Sequence, residues 1–205
     1  MSPPKDDSIA KPTAAEAKGL ERVQAFNKHG SSYGNEHGNR PATIGVVLSS
    51  SPIALLAWSV CSFVPPNHKY TLSNTSHRIG EKFLEWTDED PSLDTILDSV
   101  TLYWLTQSFP RAIYPYAQFH GRPASGHPKD NPQVPSPHID PKYYIRKPFG
   151  YSWFPYELAP IPVSWVKTTG DLTWSRSHDQ GGHFAAMEKP EVLLGDVEEF
   201  VKTIG

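Results

Sequence analysis

A histidine on a glycine-rich turn has the surroundings in this sequence that best suit proton-transfer chemistry. His183 follows Gly181 and Gly182, and it stands between a short run of β-forming residues and a helix opened by Pro190. The two glycines let the backbone bend tightly and leave an edge of the imidazole open. We predict that His183 is a general base. The alternative is a solvated histidine in an ordinary surface loop.

An acidic residue suited to orient this imidazole precedes it in the chain. Glu157 follows a predicted strand over residues 145–153, and His183 follows the next predicted strand, residues 172–175. Neighbouring strands lie about 4.8 Å apart, so side chains at their ends can meet. A carboxylate placed there fixes the tautomer of the ring and stabilises the imidazolium that forms. The alternative for Glu157 is a carboxylate that only begins a helix.

Other residues near His183 offer competing chemistry. His178 and Asp179 are the competing local candidates, and the alternative for both is a solvated loop position. His178 and His183 do not have the spacing of a zinc site, and no third ligand is evident. We therefore expect neither a metal nor a cofactor.

A serine nucleophile is a second possibility. Residues 30–34 match G-x-S-x-G around Ser32, and Ser32, Glu157 and His183 stand in the chain order that such hydrolases use. That motif must follow a buried strand and open a helix, whereas here it follows an amphipathic helix predicted over residues 13–30. We interpret Ser32 as lying outside the site and keep a serine esterase as the alternative function.

Length, charge and cysteine content narrow the class of protein. The chain has 205 residues and a formal net charge of −3, which argues against nucleic acid as its partner. The single cysteine, Cys61, excludes an internal disulfide and suits a reducing compartment. With no apolar leader in residues 1–11, we expect a cytoplasmic location. Serines and Pro52 interrupt the uncharged residues 41–66, which favours two short helices over a membrane span.

The first half of the chain is predicted to be helical. After a disordered stretch over residues 1–12, a helical region covers residues 13–121. Its strongest helix carries apolar side chains at helical spacing: Leu93, Ile96, Leu97, Val100 and Trp104. Residues 59–78 break this pattern, and we interpret them as an insertion within a helix, which is either a surface loop or a translated intron.

The second half is predicted to be α/β. Residues 122–142 are proline-rich and form a linker, after which residues 143–205 follow the order strand, acid, helix, strand, histidine, helix. The last helix, over residues 190–201, is expected to turn Leu193, Val197 and Phe200 inward. This order indicates a helical cap followed by the end of an α/β sheet.

Four segments of the chain resemble segments of the microsomal-type epoxide hydrolases, particularly their fungal members, and occur in the same order. These enzymes have the α/β-hydrolase fold. Residues 182–190 resemble the segment of the catalytic histidine, and residues 154–158 that of the charge-relay acid. Residues 33–45 resemble the entry to the cap, where Tyr33 would be one of two epoxide-activating tyrosines. Residues 102–111 resemble the second cap segment, which places the other at Tyr116, with Tyr114 in reserve.

The resemblance implies a partial α/β-hydrolase fold, in which a mostly helical cap precedes the last two strands and the C-terminal helix. It also implies a reaction in which a carboxylate nucleophile opens the epoxide while Tyr33 and Tyr116 donate to the departing oxygen. His183, oriented by Glu157, would then activate the water that hydrolyses the ester.

The nucleophile is where the sequence departs from the family. Neither Asp6 nor Asp7 lies on a strand–helix elbow, and no other aspartate fits. We therefore expect a truncated epoxide hydrolase-like protein with little or no turnover of its own. The expected substrate is a small epoxide, in detoxification or in the catabolism of aromatic compounds, and a homodimer is the expected assembly. A non-catalytic interaction fragment is the remaining alternative.

Overall fold

The computed structural model describes residues 9–58, 81–117 and 141–205. The predicted insertion, residues 59–78, and nearly all of the predicted linker, residues 122–142, lie outside the described residues. The chain divides into two compact units. The C-terminal unit contains Met1–Phe26, Trp86–Glu89 and Val134–Gly205, and the helical unit contains Asn27–Glu85 and Asp90–Gln133. The predicted boundaries between cap, linker and C-terminal portion stay predictions.

The described helices and strands follow the expected order. The helices are α1 (Ala14–Ala25), α2 (Ser32–Asn39), α3 (Pro41–Leu48), α4 (Pro52–Trp58), α5 (Glu81–Trp86), α6 (Leu93–Thr106), α7 (Phe109–Ala112), α8 (Val163–Val166), α9 (Ala185–Glu188) and α10 (Pro190–Ile204). The strands are β1 (Ile145–Trp153) and β2 (Gly170–Ser177), and a π-helical turn, Phe26–Gly30, follows α1.

Local sequence signals explain where several helices begin and end. At α1, the Thr13 hydroxyl accepts from the Glu16 N–H at 3.2 Å, and the Glu16 carboxylate accepts from the Thr13 N–H at 2.8 Å. This reciprocal pair satisfies two N–H groups that a helix start leaves without partners. At α6 only one such bond forms, from the Thr95 N–H to the Ser92 hydroxyl at 3.2 Å, and the helix ends at Gln107, which has a φ of 51°.

β1 and β2 form a parallel two-stranded sheet that continues past the regular strands. Gly150 pairs with Trp174 and Trp153 pairs with Ser177. Beyond them, an isolated parallel bridge joins Tyr156 to Gly182. The alignment of the two strands therefore extends to the residues that precede Glu157 and His183.

α10 packs on β1 through a polar rather than a purely apolar face. Asp196 is only 2% exposed, whereas Val197, which was predicted to face inward, is 51% exposed. Asp196 accepts hydrogen bonds from Ser152 at 2.6 Å and Arg176 at 3.2 Å, and these bonds tie the helix to both strands. The prediction for Val197 is wrong because a buried carboxylate takes the inward position.

Among the described residues of the helical unit, five buried side chains pack together as a core. They are Ile44, Leu48, Leu55, Val100 and Ile113. Gly45 lets α3 approach α7 closely, since a Cβ there would lie 3.2 Å from Pro110. On α6 the buried side runs through Ile96 and Val100, whereas Leu93 and Leu97 are 51% and 37% exposed. The predicted apolar stripe of α6 is thus wider than the face it buries. Among the described residues, no helix has the length and apolar character needed to cross a membrane.

Candidate active site

Glu157 and His183 come together because each follows one member of the bridged pair Tyr156 and Gly182. The Tyr156 N–H donates to the Gly181 carbonyl at 3.1 Å, which aligns the two loops. The Glu157 Oε1 then lies 2.7 Å from the His183 Nδ1. The structure brings together the two residues that the sequence predicted as an acid–base pair.

The geometry of this pair assigns the proton on the ring. An ionised carboxylate can only accept hydrogen bonds, so Nδ1 is the donor to Glu157. Nε2 is then the nitrogen with a lone pair, and it can accept a proton from water or substrate. The side chains of His183 and Glu157 are 36% and 35% exposed, which leaves the pair accessible to reactants.

Hydrogen bonds hold the Glu157 carboxylate in its ionised form. Burial alone would raise its pKa, but the hydrogen bond and charge of His183 outweigh that effect, with help from the backbone N–H groups of Leu158 and Ala159. The net result is a lowered pKa for Glu157. The carboxylate is therefore charged at neutral pH, as an orienting acid must be.

An aromatic side chain flanks the imidazole. The Trp86 indole stands edge-on to the His183 ring, with centroids 5.2 Å apart, and Phe184 stacks on the indole at 6.2 Å. The backbone of Trp86 also takes part, since its carbonyl accepts the His183 N–H at 2.8 Å. Sequence reasoning missed this contact, because nothing in the local pattern around Trp86 points to residue 183.

The two predicted phenols meet within the helical unit. The rings of Tyr33, on α2, and Tyr116 are 5.7 Å apart and edge-to-face. Burial is the main cause of a raised pKa of Tyr33, and its hydrogen bond to Tyr116 raises it further. The Tyr33 phenol therefore keeps its proton at neutral pH, as a hydrogen-bond donor to an oxyanion must. Tyr114, the reserve choice, is 52% exposed.

A lysine and a histidine complete the surroundings of these phenols. The Lys82 Nζ lies 3.5 Å from the centroid of the Tyr33 ring, which is the geometry of a cation–π contact. The His37 ring lies 4.9 Å from that of Tyr116. Burial, together with the charge of Lys82, lowers the pKa of His37 to about 4, so this ring is neutral at physiological pH.

Ser32 and His178, the competing candidates, lack the surroundings that their alternative roles would need. Ser32 is exposed and begins α2 directly after a helical turn, so it lacks the preceding strand that a nucleophile elbow requires. His178 does not pair with Asp179. Its Nε2 lies 2.6 Å from the Asp196 carboxylate, and no local pattern around His178 indicates that contact. The described residues contain no group of three or more side chains that could hold a metal ion.

Known epoxide hydrolases match nearly the whole chain. A Dothistroma septosporum protein named as an inferred epoxide hydrolase is 43% identical over 189 residues, which is 91% of this chain and 36% of that protein. A similarly named protein of Stigmatella aurantiaca is 33% identical over 90% of this chain and 35% of its own length. The solved Aspergillus niger epoxide hydrolase aligns with a TM-score of 0.75 and 42% identity, covering all of this chain and 44% of that one. No protein-family model matches the chain.

The helices and the parallel strand pair therefore represent part of an α/β-hydrolase fold. In sequence and in structure, the chain is related to the epoxide hydrolases. It spans 36% of the length of the Dothistroma septosporum protein and 35% of the length of the Stigmatella aurantiaca protein. The roles of the four site residues stay predictions. Tyr33 and Tyr116 belong to the helical unit, and Glu157 and His183 belong to the C-terminal unit.

Proposed function

We propose that this chain carries the general base and the oxyanion donors of an epoxide hydrolase, which converts an epoxide and water into a vicinal diol. The observation that carries the proposal is the 2.7 Å contact between the His183 Nδ1 and the Glu157 carboxylate. That contact leaves Nε2 as the proton acceptor. Sequence identity of 42% to the Aspergillus niger epoxide hydrolase supports the choice of reaction.

The first step of this reaction opens the strained ring. A carboxylate attacks a ring carbon, the carbon–oxygen bond breaks, and an ester forms. Negative charge develops on the departing oxygen, and phenol hydroxyls can stabilise it by donating hydrogen bonds and a proton. Tyr33 and Tyr116 are our candidates for these donors, because they are paired and the raised pKa of Tyr33 keeps its proton available.

The second step hydrolyses the ester. Water attacks the ester carbonyl while the His183 Nε2 takes one of its protons, and the ester bond breaks to release the diol. The ionised Glu157 stabilises the imidazolium that forms, as it is poised to do by its lowered pKa.

The chain alone is proposed to have very weak turnover or none. The attacking carboxylate is not identified in this sequence, and the chain spans 44% of the solved Aspergillus niger relative. Loss of a nucleophile typically costs several orders of magnitude in rate. The purified chain should therefore leave a styrene-oxide-type substrate essentially unhydrolysed. Robust turnover that Tyr116→Phe abolishes would overturn this part of the proposal.

A chimera tests the roles of the residues. The chain would be fused to the part of the Aspergillus niger epoxide hydrolase that the match leaves uncovered. We expect turnover in the chimera, and we expect His183→Gln to stop ester hydrolysis while ring opening continues, so that a covalent ester accumulates and is visible by intact mass spectrometry. A His183→Gln chimera that turns over normally would contradict the assignment of the base. His178→Gln is the matched control.

The proposed substrate is a small epoxide, in detoxification or aromatic catabolism, and residues 13–121 correspond to the cap region of the family. A homodimer is proposed because α10 exposes a row of apolar side chains, with Leu194, Val197 and Val201 each more than half exposed at 53%, 51% and 54%. Sedimentation analysis of the chain, with Val201→Lys as the variant expected to dissociate it, tests this assembly.

A further inference from the structure

A short segment far from His183 in sequence holds the loop that carries it. Trp86–Glu89 belongs to the C-terminal unit, although helical residues of the other unit come before and after it in the chain. Within the C-terminal unit, its backbone and side chains contact the loop both before and after His183. Such contacts offer a way to fix the position of the imidazole.

The contact before His183 is made by a carboxylate. The Gly181 N–H donates to the Asp88 Oδ2 at 3.0 Å, and Asp88 is partly buried. Gly181 has a φ of 94°, a backbone conformation that residues with a Cβ rarely adopt. A hydrogen bond to a charged acceptor is stronger than one to a neutral acceptor, so Asp88 stabilises this turn in its unusual conformation.

The contact at His183 itself is made by the backbone. The His183 N–H donates to the Trp86 carbonyl at 2.8 Å. A Cβ on Gly182 would lie 2.5 Å from that carbonyl oxygen, so only glycine permits the approach. The segment therefore contacts two consecutive parts of the turn, the Gly181 amide and the His183 amide.

A third contact joins the segment to the helix that follows His183. The Asp88 N–H donates to the Glu188 Oε2 at 2.6 Å, at the end of α9. Asp88 thus accepts a hydrogen bond from the turn before His183 and donates one to the helix after it. The ion pair of Lys189 with Glu89 adds little to this arrangement, because the Glu89 side chain is 72% exposed and water screens its charge.

We propose that Asp88 is a positioning residue for His183: by holding the Gly181 turn and α9 at fixed places, it sets the imidazole within reach of Glu157. The inference rests on the proposed function, in which His183 is the base. Asp88 acts through the backbone of the loop. Asparagine at this position keeps an oxygen that can accept from Gly181, whereas alanine keeps none.

The test uses NMR spectroscopy of the full chain and needs no turnover, so its outcome is separate from that of the epoxide assay. In the wild type, we expect slow exchange of the Gly181 and His183 amides and a downfield signal from the Nδ1 proton that Glu157 binds. Asp88→Ala should speed Gly181 exchange roughly 10- to 100-fold, the ratio for losing a hydrogen bond to a charged group, and should broaden the Nδ1 signal. Asp88→Asn, which keeps a neutral acceptor for the Gly181 N–H, should show both effects in a weaker form.

The exposed Asp90 provides the matched control, and Asp90→Ala should change neither signal. An Asp88→Ala protein with wild-type exchange and an intact Nδ1 signal would overturn the proposal. So would an Asp88→Asn protein as impaired as Asp88→Ala. If the alanine variant does not fold, unprotected Gly181 and His183 amides in the wild type would be sufficient to reject the idea.

Discussion

Glu157 and His183 each stand one residue beyond a bridged backbone pair, and their side chains meet with Oε1 2.7 Å from Nδ1. Backbone pairing between Tyr156 and Gly182 thus determines the meeting of two side chains from separate loops. The His183 Nδ1 is hydrogen-bonded to Glu157, and its Nε2 is available to accept a proton. This is the arrangement that a histidine needs in order to take a proton from water.

Removing the histidine should raise the pKa of the Glu157 carboxyl. Burial raises that pKa, and the hydrogen bond and charge of His183 are the largest effects that lower it. In His183→Ala the burial remains and these effects are lost. Titration of the Glu157 carboxyl carbon by NMR would measure the change. His178→Ala is the control, because His178 binds Asp196 and not Glu157.

The lowered pKa of Glu157 should make the folded chain less stable at acid pH. Because the pKa of Glu157 is lowered in the folded chain, its contribution to stability is present above the ordinary pKa of a glutamate and is lost as the pH falls through the folded value. The difference in the free energy of unfolding between pH 7 and pH 3 should be smaller in His183→Ala. An unchanged difference would contradict this coupling.

Tyr116→Phe should lower the pKa of Tyr33. The hydrogen bond and proximity of Tyr116 both raise the pKa of Tyr33, but burial is the larger cause, so the pKa should stay above its ordinary value. Titration of the Tyr33 Cζ carbon would detect the change. Tyr114→Phe, at a position that is 52% exposed, should leave it unchanged. If Tyr114→Phe had the effect expected of Tyr116→Phe, the assignment of the second phenol would move to Tyr114.

Lys82→Met should raise the pKa of His37 from about 4, while burial keeps it below the ordinary value of 6.5. With a folded pKa below the unfolded one, His37 stabilises the chain above pH 6.5, and that contribution falls as the pH drops toward 4. The loss over this range should be smaller in Lys82→Met, as measured by urea unfolding at several pH values. The exposed Lys28, changed to Met, provides the control.

Gly182→Ala should destabilise the C-terminal unit and displace His183. The added Cβ would lie 2.5 Å from the Trp86 carbonyl oxygen, so one backbone must move, at a cost of about 1–3 kcal/mol. Gly195→Ala is the matched control on α10, where a Cβ meets nothing within 4 Å. That change should instead stabilise the helix by about 0.5–1 kcal/mol. Urea unfolding measures both, and equal effects would contradict the steric argument.

Local patterns were enough to predict the strand over residues 145–153 and the acid–histidine pair that follows the strands. Period and turn residues carry that information along short stretches of chain. They carry none about Asp88 or Trp86, whose contacts with the His183 loop join parts of the chain about a hundred residues apart. Apolar periodicity also misassigned Val197, because a buried ion-paired carboxylate beside it takes the inward position.

The bridge between Tyr156 and Gly182 also limits which insertions and deletions the two loops can accept. Successive side chains of an extended segment point to opposite sides, so a slip of a single position would turn Glu157 or His183 away from its partner. An insertion or deletion of one residue between Trp153 and Glu157 would therefore separate the Glu157 carboxylate from the His183 ring while leaving both side chains in the sequence. The number of residues in this loop therefore matters as much as the identity of Glu157.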